Sequence, residues 1–213
     1  MGVVTMRTRL RLVLLALLLG AITLPPELDG QEPDIEGAYH RSFEYERAEA
    51  YHDAIRALAP VYEAYPNGYT VNLRMGWLFY LNGNFNNAAA HYDVARSAAP
   101  FALEPKLGQL LPLLAQGRWS DAESVAYEVV SVDHYNYYGN MRLVLALRMQ
   151  DKFEPAYQIT LKMAGAYPTD LSFLTELALL NDARGNSEEA VRLFTDLLIL
   201  DPENETARKY LKR

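Results

Sequence analysis

Four histidines, His40, His52, His91 and His134, are the side chains of this 213-residue chain best suited to hold a metal or move a proton near neutral pH. A helical zinc site typically sets two histidines one turn apart, on one face. No His-x-x-x-His pair occurs, and no cysteine is present to supplement the histidines or to act as a thiol nucleophile. A Gly-rich phosphate loop, a G-x-S-x-G elbow and an H-E-x-x-H segment are likewise missing from the sequence. Acidic neighbours such as Glu188 and Glu189 could exchange protons. In the first turn of a helix, however, two carboxylates answer the helix dipole instead. The sequence therefore predicts no enzyme, no metal and no cofactor.

Any side chain here must be positioned by a repeated unit of 34 residues. Tyr69 to Ala102 holds two amphipathic helical patterns: Met75, Gly76 and Phe79 lie at helical spacing, Asn82-Gly83 breaks the pattern, Ala88, Tyr92 and Ala95 resume it, and Pro100 ends it. Stepping by 34 from Ala88 reaches Ala54, Ala122, Ala156 and Ala190. The same step from Pro100 reaches Pro66, His134, Pro168 and Pro202. A fixed period of this size marks a solenoid, whose helix pairs bury their apolar faces only by stacking on one another. Alanine at a helix crossing lets two backbones approach, and proline after the second helix forces the chain to turn. Gly83, Gly117 and Gly185 read as turns within the repeats.

With small residues at Gly76 and Ala178, aromatic or aliphatic residues at Tyr45, Phe79, Leu113 and Leu147, and the alanine and proline registers, the chain resembles a tetratricopeptide repeat (TPR) protein. The resemblance covers about residues 35–204. It implies an all-α, right-handed helical-hairpin solenoid of about five repeats, 35–68, 69–102, 103–136, 137–170 and 171–204, with a capping helix over 205–213. The chain departs from the family pattern at the usual tryptophan near the start of the first helix, which is Ala38, Asn72, Lys106, Asn140 and Leu174 here. The first repeat also carries Ser42 and Ala48-Glu49 where glycine is favoured. Kinks are expected at Pro60 and at Pro112, where the bare Gly108 would ease the crowded carbonyl. Pro105 and Pro155 fall at tolerated first-turn positions, and Ser187 reads as a helix N-cap.

Ahead of the repeats, Arg7, Arg9 and Arg11 precede an apolar run from Leu12 to Leu24, the layout of an export signal over residues 1–24. That run is shorter than the roughly 20 apolar residues needed to span a bilayer. An uncleaved anchor is the alternative, since Gly20 and Ala21 make a weak cleavage site. The stretch 25–34 is acidic and proline-rich, as flexible linkers are. Without residues 1–31 the chain holds 17 basic side chains (20 less Arg7, Arg9 and Arg11) against 25 acidic ones (27 less Glu27 and Asp29). This excess of acid argues against nucleic acid or anionic lipid as the main partner, and the expected location is the periplasm or cell envelope.

In TPR proteins the concave groove is lined from the first helix of each repeat. Carried over residue by residue, those positions give Tyr39, Phe43, Glu46 and Arg47, then Leu73, Trp77, Tyr80 and Leu81, then Leu107, Leu111 and Leu114, then Tyr138, Met141, Leu145, Arg148 and Met149. Thr175, Leu179 and Asp182 follow in the last repeat. The Lys/Asn/Arg set with which some TPR domains clamp a C-terminal carboxylate is absent, because Tyr39, Phe43, Leu73 and Trp77 stand in its place. The resemblance thus implies an apolar, aromatic groove for a partner peptide or helix, with Arg47 and Arg148 orienting it. The same stripe could instead be buried between adjacent first helices, be closed over by the chain's own N-terminal segment, or serve as a homo-oligomer contact.

Overall fold

The computed structural model describes residues 32–212. The signal or anchor expected over 1–24 and most of the linker expected over 25–34 lie outside the described residues. Those that are described form eleven helices and no strand. They are α1 (Ile35–Arg47), α2 (Tyr51–Ala64), α3 (Tyr69–Leu81), α4 (Phe85–Ala98), α5 (Glu104–Ala115), α6 (Trp119–Val132), α7 (Tyr137–Arg148), α8 (Phe153–Ala166), α9 (Leu171–Ala183), α10 (Ser187–Leu200) and α11 (Glu205–Leu211). None is long and apolar enough to cross a membrane.

The turn inside each helix pair is built the same way five times. Glu49, Gly83, Gly117, Asp151 and Gly185 all have positive φ, between 56° and 85°. The residue after each donates its N–H back five residues, from Ala50 to Tyr45 (2.8 Å) and from Asn84 to Phe79 (2.8 Å), and likewise down to Asn186 and Asn181 (2.8 Å). This closes the orphan carbonyls of the odd-numbered helices in a Schellman arrangement. Glycine meets the left-handed requirement without cost at three of the turns, and Glu49 and Asp151 meet it against their own preference. Between pairs, Asn136, Asp170 and Asn204 cap the next odd-numbered helix by accepting its first N–H groups. For α10 the N-cap is Asn186, with Ser187 as the first helical residue, one position later than the role the sequence suggests. Pro60 lies inside α2 and Pro112 inside α5, and both helices continue through them.

Ala54, Ala88, Ala122, Ala156 and Ala190 are all fully buried. They sit in even-numbered helices that pack against the odd-numbered helix before and after, so a continuous row of crossings runs along the molecule. Three apolar clusters fill it, around Leu58 and Leu78, around Leu110, Leu143 and Leu147, and around Phe194 and Leu197. The helices α3, α5, α7 and α9 also touch one another in series, which consecutive even-numbered helices do not do to that extent. The odd-numbered layer is therefore the tighter one along this series.

At the far end, α11 closes the stack. Ala207 is fully buried, the Tyr210 ring lies 4.3 Å from that of Phe194, and the Tyr210 hydroxyl donates to Asp182 (2.6 Å).

Candidate functional site

The side chains assigned to the groove lie on α1, α3, α5, α7 and α9, with Met149 just past the end of α7, so they share the odd-numbered layer. Their surroundings differ. Tyr138 is 59% exposed and Phe43 44% exposed, and Arg47 is also open to solvent. Leu73, Trp77, Tyr80, Leu107, Leu111, Met141 and Leu145 are half-buried, each presenting part of its surface. Tyr39 is half-buried too, but its hydroxyl is shut in without a partner, and both Tyr39 and Trp77 pack against the first apolar cluster. Trp77 and Tyr80 rings lie 5.8 Å apart.

Two of the expected polar anchors are not equivalent. Arg148 is held by Glu176 through two bonds of 2.7 and 3.2 Å, so its charge is already answered. Arg47 makes no ion pair among the described residues. Glu46 accepts from the Trp77 indole (2.6 Å) and pairs with Arg74, which also reaches Ser42 and lies 3.9 Å over the Phe43 ring. Spacing alone could not show that this end of the layer is braced by a partly buried ion pair.

Arg142 was not among the assigned residues. It is half-buried on α7, donates to the Leu107 carbonyl (2.6 Å) and lies 5.4 Å over the Tyr138 ring. Burial depresses its pKa, and the ionisable groups that face it are the hydroxyls of Tyr80, Tyr138 and Tyr92. The repeated pattern Tyr-x-x-Asn-x-Arg, at 69–74 and again at 137–142, was the signal that could have found both arginines.

The asparagines of that pattern explain two departures from the family. Asn72 donates to the carbonyls of Pro66 and Gly68 (2.8 Å each), and Asn140 does the same to His134 (3.1 Å) and Asn136 (2.8 Å). Both are fully buried and tie each turn to the helix it feeds. With the Asn72 amide nitrogen so engaged, its oxygen faces His91 Nδ1 at 2.8 Å, which makes that ring nitrogen the donor. The His91 ring stacks on Phe79 and meets Tyr62 edge-on, each 5.1 Å away, and burial holds its pKa down. His40, His52 and His134 are exposed, and no three His, Asp or Glu side chains converge on a metal position among the described residues.

Three tyrosines stand close together where the third repeat meets the fourth, Tyr135, Tyr137 and Tyr138, and their roles differ. Tyr137 packs edge-on against Tyr167 (5.6 Å) and Phe173 (5.3 Å) and donates to Asp170 (2.9 Å), so it joins two helix pairs. Tyr138 faces outward.

No protein-family model matches the chain. No curated protein sequence matches it. Solved structures do. MamA from Desulfovibrio magneticus RS-1 superposes with a TM-score of 0.75 at 18% identity, over 82% of this chain and 99% of that one. MamA AMB-1 gives 0.67 at 21% identity, over 85% and 100%. YrrB, described as a TPR protein with an unusual peptide-binding site, gives 0.72 at 11% identity, over 84% and 93%. At these identities the likeness shows the fold, a TPR-type helical solenoid.

Proposed function

We propose that the chain is a non-catalytic scaffold that holds a partner peptide or helix on its aromatic inner wall, in the periplasm or elsewhere in the cell envelope. The observation that carries this reading is the exposure of Tyr138 and Phe43 beside half-buried Trp77, Tyr80, Leu111, Met141 and Leu145. Large rigid aromatics left open on a concave wall are what a binding hot spot is made of. The fold likeness to YrrB, whose description names a peptide-binding site, supports it. The extracytoplasmic location rests on the pattern from Arg7 to Leu24.

The test is capture of envelope proteins by the chain and by its Phe43→Ala/Tyr138→Ala variant. Both side chains are exposed, so far-UV circular dichroism should stay unchanged. Capture should weaken by at least about tenfold, because central aromatic anchors are each worth about 2 kcal/mol or more. Undiminished capture rejects the groove. A second reading is self-assembly, favoured by apolar surface away from the wall, where Phe101 is 96% and Ile199 75% exposed. Light scattering that shows stable oligomers in the double variant as well would select it.

A further inference from the structure

The odd-numbered layer carries a ladder of side-chain pairs, each joining one odd-numbered helix to the next with a separation of 28 residues. Glu46 pairs with Arg74, Arg148 with Glu176 and Asp182 with the Tyr210 hydroxyl. At the same spacing, Tyr80 is matched with Gly108 and Leu114 with Arg142. Three of the five rungs are charge-compensated or hydrogen-bonded, Tyr80–Gly108 carries no charge, and only at Leu114–Arg142 does a charged side chain stand opposite an apolar one. The single internal bond of Arg142 goes to the Leu107 carbonyl, leaving most of its five N–H donors uncommitted. Among the described residues, none of its nitrogens is both buried and unpartnered. No carboxylate lies within ion-pair distance of it among the described residues, while Glu46 and Glu176 serve its counterparts.

We infer that Arg142 is the charge-reading position of the groove, and that it recognises an acidic side chain, aspartate or glutamate, carried within an apolar segment of the partner. A half-buried guanidinium without a counter-charge is costly, and a carboxylate delivered by a partner recovers that cost at binding. The planar fork suits a carboxylate that arrives along the wall, and the Tyr138 and Tyr80 hydroxyls flank the approach. Leu107, Leu111 and Leu145 supply the apolar surroundings in which such a pair is strong. The inference rests on the groove reading above and adds to it the sign and position of the partner's charge.

The probe is a set of 16-residue amphipathic leucine–alanine peptides in which one Glu is walked along the sequence, each made also with Gln in its place. Binding to the full chain is read by fluorescence anisotropy. In one register the Glu peptide should bind at least about tenfold more tightly than its Gln twin, about 1.4 kcal/mol. Arg142→Met should erase that preference while leaving the Gln peptide's affinity unchanged, and Arg142→Lys should keep part of it. Leu114→Glu places an internal carboxylate on the empty rung, so it should abolish the preference by a route that does not remove the arginine. Peptides that bind with equal affinity whether Glu or Gln is present, in every register, overturn the role of Arg142 and leave the groove standing. If no peptide of either kind binds, the groove reading falls and this inference with it.

Discussion

At the scale of the residue, His91 shows how much of the polar chemistry in this chain is spent on architecture. Its ring is sandwiched by Phe79 and Tyr62, its Nδ1 proton goes to Asn72, and burial depresses its pKa below the ordinary 6.5. Protonation is then easier in the unfolded chain than in the folded one. The stabilisation His91 gives is complete above about pH 6.5 and is lost as pH falls below that value towards its lower folded pKa. Thermal melts taken from about pH 7.5 down to about pH 5 should therefore show a declining Tm, and His91→Gln should flatten the curve in this window. The exposed carboxylates with lowered pKa, Asp34, Glu154 and Glu189, act only further down, so their contribution does not mask it. A Tm that falls equally in the variant would show that His91 carries none of the dependence.

At the scale of the element, the middle of the molecule is set by one ring between two glycines. A Cβ on Gly108 would sit 2.2 Å from the Tyr92 ring, and one on Gly76 would sit 3.0 Å from the same ring. Gly108, which the sequence suggested would relieve Pro112, makes room for Tyr92 across the α4–α5 contact. Helix propensity alone would have Gly→Ala stabilise α5 by about 1 kcal/mol, but overpacking costs about 1–3 kcal/mol where the ring has nowhere to go. Gly108→Ala should thus destabilise the fold in urea titrations. Gly165→Ala, with open space around its Cβ in α8, should stabilise it by about 0.5–1 kcal/mol. In a Tyr92→Leu background the Gly108→Ala penalty should vanish, and its persistence would mean the clash is elsewhere. This scale also marks where the sequence stops being legible. The alanine register foretold the buried crossings because a 34-residue period is written in single residues. The rungs Glu46–Arg74 and Arg148–Glu176 join helices whose facing is decided by stacking, so no local period announces them. Glu49 and Asp151 hide a turn that glycine declares openly at Gly83, Gly117 and Gly185. Among the groove residues, the helix assignment followed from the register, but which were open, half-buried or already paired depended on neighbours 28 or more residues away.

At the scale of the whole molecule, a stack in which each pair touches only its neighbours is no stronger than its ends. The described chain ends on α11, only seven residues long, which nevertheless covers Phe194 with Tyr210, buries Ala207 and reaches Asp182. Removing residues 205–213 uncovers part of Phe194 and Leu197, and burial of each such side chain is worth about 1.5–3 kcal/mol. The last helix pair should accordingly lose about 2–4 kcal/mol of local stability. Tyr210→Ala should reproduce much of that loss, since it deletes the ring contact and the bond to Asp182 together. Because the coupling runs only from neighbour to neighbour, hydrogen exchange is the measurement that separates a local effect from a global one. Amides of α9 and α10 should exchange faster in both variants, while those of α1 to α4 keep their protection. Equal acceleration from α1 to α10 would mean that the stack melts as one cooperative block, and that its far end is braced by something other than the adjacent pair.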